Sequence, residues 1–297
     1  MLLAGFVLLV ALGAGLLFMQ GLQACRLRSP RLNLPAAVIA ACCAVAGLAL
    51  YAVMYGNPSR FFGMFRHVTT GIALLLYATV AFVIVAVAYA VVARRREGSD
   101  FPRWLGALAV VASVLLVCCA TLGYQQSALA KISDRYFVLL AYFLACSLAI
   151  GSFAMLALAG ALGDEEGMAL GRHAALAMTA LAALAFGCYL LWFANSGDAR
   201  VVAQAAKNDM STTFVIGSAA AQATTVSASQ VLADTIAANA ALFWAGAVAC
   251  GLAVPLAAGG AALAAHRRGA LLAIGVVGCA ALACGMLCFG ALLPSLA

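Results

Sequence analysis

Along its length the chain alternates long apolar runs with short polar breaks. The runs cover roughly 2–24, 34–54, 68–93, 104–123, 136–162, 174–193, 236–263 and 270–292. Each reaches or exceeds the ~20 residues that a helix needs to cross a hydrocarbon core of about 30 Å. Lipid offers no partner to free backbone N–H and C=O groups, so every run is predicted to be helical. The expected fold is an all-α integral membrane protein of eight transmembrane helices, arranged as two antiparallel four-helix groups, spans one to four and five to eight. The 28 glycines and abundant alanines permit close backbone approach in lipid. Along the sequence, 1–162 holds spans one to five and 163–297 holds spans six to eight with a long connection at 194–235, all within a single membrane domain.

Composition narrows the class further. Of 297 residues, 67% are hydrophobic and 8% charged, and mean hydropathy is +1.12. That excludes a water-soluble fold, a nucleic-acid binder and a disordered chain. An outer-membrane barrel is excluded too, because its strands alternate polar and apolar residues and give no unbroken runs. The first run carries no charge, and Leu22-Gln23-Ala24-Cys25 faintly resembles a lipoprotein processing site. A secretory signal would open on a basic segment. Here Arg26, Arg28 and Arg31 follow the run instead, as they do after a retained span.

Charge in the connections predicts orientation. Arg26, Arg28, Arg31, Arg94, Arg95, Arg96, Arg103, Arg172, Arg267 and Arg268 make up ten of the sixteen Lys and Arg and border the spans tightly. The positive-inside rule puts them in the cytoplasm and both termini outside. The opposite connections hold Arg60, Arg66, Lys131, Arg135, Arg200 and Lys207 against four acids, Asp134, Asp198, Asp209 and Asp234. All nine acidic residues and the three histidines, His67, His173 and His266, fall in connections or at helix ends. Proton pumps, ion-coupled carriers and voltage sensors need charged groups at mid-membrane, and haem ligation there needs buried histidines. Neither haem nor a metal is expected. Ten of the eleven cysteines lie within apolar runs; the best metal-like pair, Cys284 and Cys288, lacks two further ligands.

The longest connection, 194–235, is rich in Ala, Ser, Thr and Gln. Ser227-Ala228-Ser229-Gln230 fits a capping box. It would start a helix carrying Val231 and Leu232 into span seven; a flexible polar hairpin is the alternative.

One segment carries candidate chemistry. In Gly56-Asn57-Pro58-Ser59-Arg60-Phe61-Phe62, Gly56 permits positive φ, and Pro58 fixes its own φ while holding Asn57 out of the helical region. The turn ends span two and sets Arg60 at the interface beside two aromatics, with Arg66 and His67 just before span three. An arginine there either snorkels or binds a headgroup, a quinone carbonyl or an acidic partner.

The G-x-P-x-R-x-F pattern between the second and third of eight spans resembles the membrane-anchor subunits of dimethyl sulfoxide reductases, the DmsC type. Weaker similarity runs through 136–160 and 198–235. The resemblance implies a bacterial cytoplasmic membrane location and a role in anaerobic respiration. Such anchors hold an iron–sulfur subunit and a molybdopterin catalytic subunit at the outer face and bind menaquinol there, with no haem or metal of their own. On this sequence the implied quinol site is Arg60 with Met54, Tyr55, Phe61, Phe62 and His67 around the Gly56–Pro58 turn. Arg66, Lys131, Arg135, Arg200 and Lys207 form a basic rim suited to an acidic iron–sulfur partner.

The chain departs from that family at other polar positions. Met54 stands where better-known members have a histidine, Leu76 where they have an acid, and Gly285 and Phe289 where they have an acid and an arginine. Two other readings stay open. One is a permease for a neutral or hydrophobic small molecule, which an internal repeat would favour. The other is a structural membrane protein with no redox role.

Overall fold

The computed structural model describes residues 2–26, 30–54, 63, 70–95, 102–125, 134–195, 200–201, 225–226 and 228–296. The helices are α1 (Leu2–Arg26), α2 (Pro30–Met54), α3 (Gly71–Arg95), α4 (Arg103–Gln125), α5 (Asp134–Leu162) and α6 (Glu165–Asn195). They are followed by the short α7 (Ala228–Ala238), a π-helical stretch Ala241–Ala253 that continues as α8 (Val254–Ala264), and α9 (Arg268–Leu296). Eight helices are long and apolar enough to cross a membrane, the π-helical stretch and α8 together counting as span seven.

Two closed rings of four helices form. In the first, α1 packs on α2, α2 on α3, α3 on α4, and α4 returns to α1. In the second, α5 packs on α6, α6 on α8, span seven on α9, and α9 returns to α5. The rings meet mainly along α1 and α5, where Gly15 and Gly151 touch backbone to backbone. Beside them the Ser147 hydroxyl donates to the Ala11 carbonyl at 2.8 Å. Glycine is needed at both crossing positions, since a Cβ on either would overlap the other helix. With no hydrophobic force between helices in lipid, close contact and a cross-helix hydrogen bond hold the seam.

The rings repeat one plan. Ser147 lies 136 residues after its partner Ala11, a separation that Gly151 and Gly15 share. At that spacing Phe6, Val10, Ala14 and Leu17 of α1 fall on Tyr142, Cys146, Ile150 and Phe153 of α5, all buried. At a separation one residue shorter, Leu32, Ala36, Ala40, Ala44 and Tyr51 of α2 match Gly167, Gly171, Ala175, Thr179 and Phe186 of α6, again all buried. On the fourth spans, Gly106, Ala109, Leu116, Val117 and Ala120 correspond to Gly275, Gly278, Gly285, Met286 and Phe289. The contacts repeat as well, for α4 meets α1 at Gly106 and Gly21, and α9 meets α5 at Gly275 and Ala157. First helix against first helix makes this a parallel duplication about an axis running along the spans.

Three local features differ from expectation. The sixth helix begins at Glu165, not near residue 174, so Arg172 and His173 are helical. Polar side chains hid that turn of helix, and Glu165 and Glu166 in the first turn favour it through the helix dipole. Only Gly163, at φ 70°, and Asp164 separate α5 from α6. The long connection is pinched by an antiparallel pair, Arg200 opposite Val226 and Val201 opposite Thr225, which composition did not suggest. Span seven is wound as a π-helix before Pro255, with the Val254 N–H reaching back to the Ala249 carbonyl. Pro255 has no N–H to give, and the wider winding lets Gly251 meet Gly285 on α9. The helix expected after Ser227 is present as α7; Ser227 itself lies outside the described residues. Leu232 of α7 rests on Trp192 and Phe193.

The Gly251–Gly285 crossing sets Cys250 and Cys284 side by side on facing helices. A copper–phenanthroline oxidant applied to isolated membranes should therefore join Cys250 to Cys284, read by peptide mass spectrometry. A bond found only between other cysteines would contradict the π-helical register.

Candidate functional site

Helices α2 and α3 bracket the sequence-derived site. α2 runs to Met54 and α3 starts at Gly71, capped by Thr70, whose Oγ1 accepts from the Ala73 N–H at 3.3 Å. Tyr55, Gly56, Pro58, Arg60, Phe61, Phe62, Arg66, His67, Lys131 and Lys207 lie outside the described residues. Met54 closes α2, Arg135 lies in the first turn of α5, and Arg200 lies in the short strand pair.

In the last turn of α2, Tyr51 packs tilted against Phe6 with ring centroids 4.6 Å apart. Leu75 and Leu76 of α3 and Leu116, Val117 and Ala120 of α4 share the same buried core. The corresponding region of the second ring is filled with aromatics. There Phe289 is 1% exposed and lies 5.0 Å from Tyr142, 5.1 Å from Phe186 and 5.6 Å from Tyr189, centroid to centroid. Ala120 stands in the first ring where Phe289 stands in the second. At this position the second ring buries a phenyl group and the first a methyl.

The departures acquire a physical meaning. Phe289 is the hub of that aromatic cluster and Gly285 lies against the Gly251 backbone, so the second ring has no room there for an acid or an arginine. Leu76 is buried in the first core. Among the described residues no group of three His, Cys, Asp or Glu could hold a metal. The described ion pair Arg268–Glu165, at 3.4 Å, is exposed at the opposite end of the molecule. A solvated pair of that kind contributes little.

Sequence reading passed over one polar group. Gln20 and Gln23 of α1, Asn33 of α2 and Tyr89 of α3 are buried together near the arginine-rich end of the first ring. A search for ionisable side chains does not register amides, although three of them in or beside apolar runs were a usable signal.

The molecule is therefore a multi-pass integral membrane protein with eight spans in two repeated four-helix rings. Its sequence matches no family profile, no curated protein and no solved structure.

Proposed function

We propose that this chain is the membrane-anchor subunit of a molybdopterin/iron–sulfur oxidoreductase of the dimethyl sulfoxide reductase type. In this reading it binds menaquinol in the first ring and hands its electrons to an iron–sulfur partner at the outer face. The observation that carries the reading is the Gly56–Phe62 pattern, standing between the second and third of eight spans grouped four and four. The contrast between the rings supports it, because a quinone head group needs a flat apolar slot with one or two polar contacts. In this reading the slot opens at Ala120, which is small where the second ring carries the bulky Phe289. Arg60 is the polar group assigned to contact the quinone ring. Quinol oxidation releases two protons, and with Met54 and Leu76 in place of titratable groups, His67 or a tyrosine such as Tyr51 takes part in passing them on.

The duplication also favours a second reading, since parallel repeats are a common plan among carriers. Carriers bind substrate where the repeats meet. Here that place is occupied by the Gly15–Gly151 contact, and the Ser147 hydroxyl beside it is already bonded to Ala11. That geometry counts against a permease.

Purification of the chain from its native membrane in mild detergent should bring an iron–sulfur protein and a molybdopterin protein with it. Recovery of the chain alone, at full yield and still folded, would argue decisively against the anchor role.

A further inference from the structure

At the arginine-rich end of the first ring, Gln20 and Gln23 are 0% and 1% exposed, one turn apart on α1. The Gln20 amide N–H donates to Asn33 Oδ1 on α2. The Tyr89 hydroxyl on α3 donates to the same oxygen at 3.0 Å and also reaches the Gln20 carbonyl at 3.2 Å. Three helices thus converge on one amide oxygen. Yet Gln20 Oε1 and both polar atoms of the Gln23 amide have no partner among the described residues.

The second ring shows that the fold does not require polarity here. The residues corresponding to Gln20, Gln23 and Asn33 are Leu156, Ala159 and Met168, all buried and apolar. The same corner therefore exists twice in one molecule, once dry and once polar. A buried amide without partners costs stability, so the polar version needs something more to complete it. The unmet groups are two carbonyl oxygens, which accept, and one NH2 group, which donates, all uncharged. Asn33 and Tyr89 are already engaged and add no formal charge. A neutral group that both donates and accepts fits this set, and water is the smallest that does. A buried water makes about three hydrogen bonds to otherwise unsatisfied polar groups.

We propose that this corner is a buried water site. One or two ordered water molecules bridge Gln20 Oε1 and the Gln23 amide, and so complete a hydrogen-bonded lock of α1, α2 and α3. The lock holds the first ring closed at the arginine-rich end, away from the Gly56 turn. This inference does not depend on the anchor reading.

A high-resolution cryo-EM map of the full chain in lipid nanodiscs tests it. Density for a water within hydrogen-bonding distance of both the Gln23 amide and Gln20 Oε1 is expected. A Gln23 amide turned onto the 96–101 connection, with no water density, would overturn the site. Gln23→Leu gives an independent readout by copying the apolar solution of the second ring. The variant should lose the water density while the Gln20–Asn33–Tyr89 contacts remain. Water density that persists unchanged at Gln20 Oε1 in the variant would show that Gln23 is no part of the site, and would equally reject it.

Discussion

Gly151→Leu should cut the folded protein recovered from membranes by about tenfold or more. A Cβ at position 151 would fall on the Gly15 backbone, and a Cβ at position 15 on the carbonyl of Ser147. Main-chain atoms cannot move aside by changing rotamer, so α1 and α5 would have to separate. Separation would stretch the Ser147–Ala11 hydrogen bond and open the contact between the rings. Overpacking a core costs about 1–3 kcal/mol where side chains can yield, and here the obstacle is backbone. Gly15→Leu should match it. Gly187→Leu is the control, because a Cβ there meets nothing within 4 Å. Fluorescence-detected size exclusion of tagged variants gives the measurement. Equal yields of Gly151→Leu and Gly187→Leu would mean that the rings do not meet at these glycines.

Arg60→Ala should abolish menaquinol-linked reduction of the iron–sulfur partner while the complex still assembles. A hydrogen bond from a charged donor contributes about 1.5–3 kcal/mol, so quinone affinity should drop by roughly one to two decades. Arg60→Lys should recover little if the guanidinium presents two N–H groups to one ring oxygen. Ala120→Phe tests the same slot from the opposite side, by installing the plug that the second ring already has in Phe289. It should displace quinone, measured as bound quinone per folded complex, with the yield of folded protein measured beside it because Ala120 is buried in the core. Full menaquinol turnover in either variant, in a normally assembled complex, would sink the proposed slot. Arg60 would then be an interfacial anchor that snorkels to the headgroups.

The eight spans were legible because apolar runs of sufficient length leave the backbone no alternative to a helix in lipid. The first turns of α6 were not, because Arg172 and His173 read as a connection although helix geometry tolerates them beside the dipole-favoured Glu165 and Glu166. The π-helical stretch was hidden for another reason, since Pro255 signals a disturbance but not its direction. The duplication was invisible in the letters. Corresponding positions share burial and contact, while their residues differ, as with Tyr51 and Phe186 or Ala120 and Phe289. Of the candidate site, Arg60 and its turn were singled out by backbone chemistry alone. The contrast between Ala120 and Phe289 emerged only when one ring was laid against the other.

The glycine seam has a mechanical consequence. Two helices in backbone contact at one point cannot slide there without collision, but they can rock about it as about a fulcrum. Gly15 lies near the middle of α1, whose 25 residues measure about 37 Å. A tilt of roughly 5° therefore carries each tip of α1 through about 1.5 Å, in opposite senses at the two surfaces. Whatever presses the rings together on one side of the bilayer eases them apart on the other.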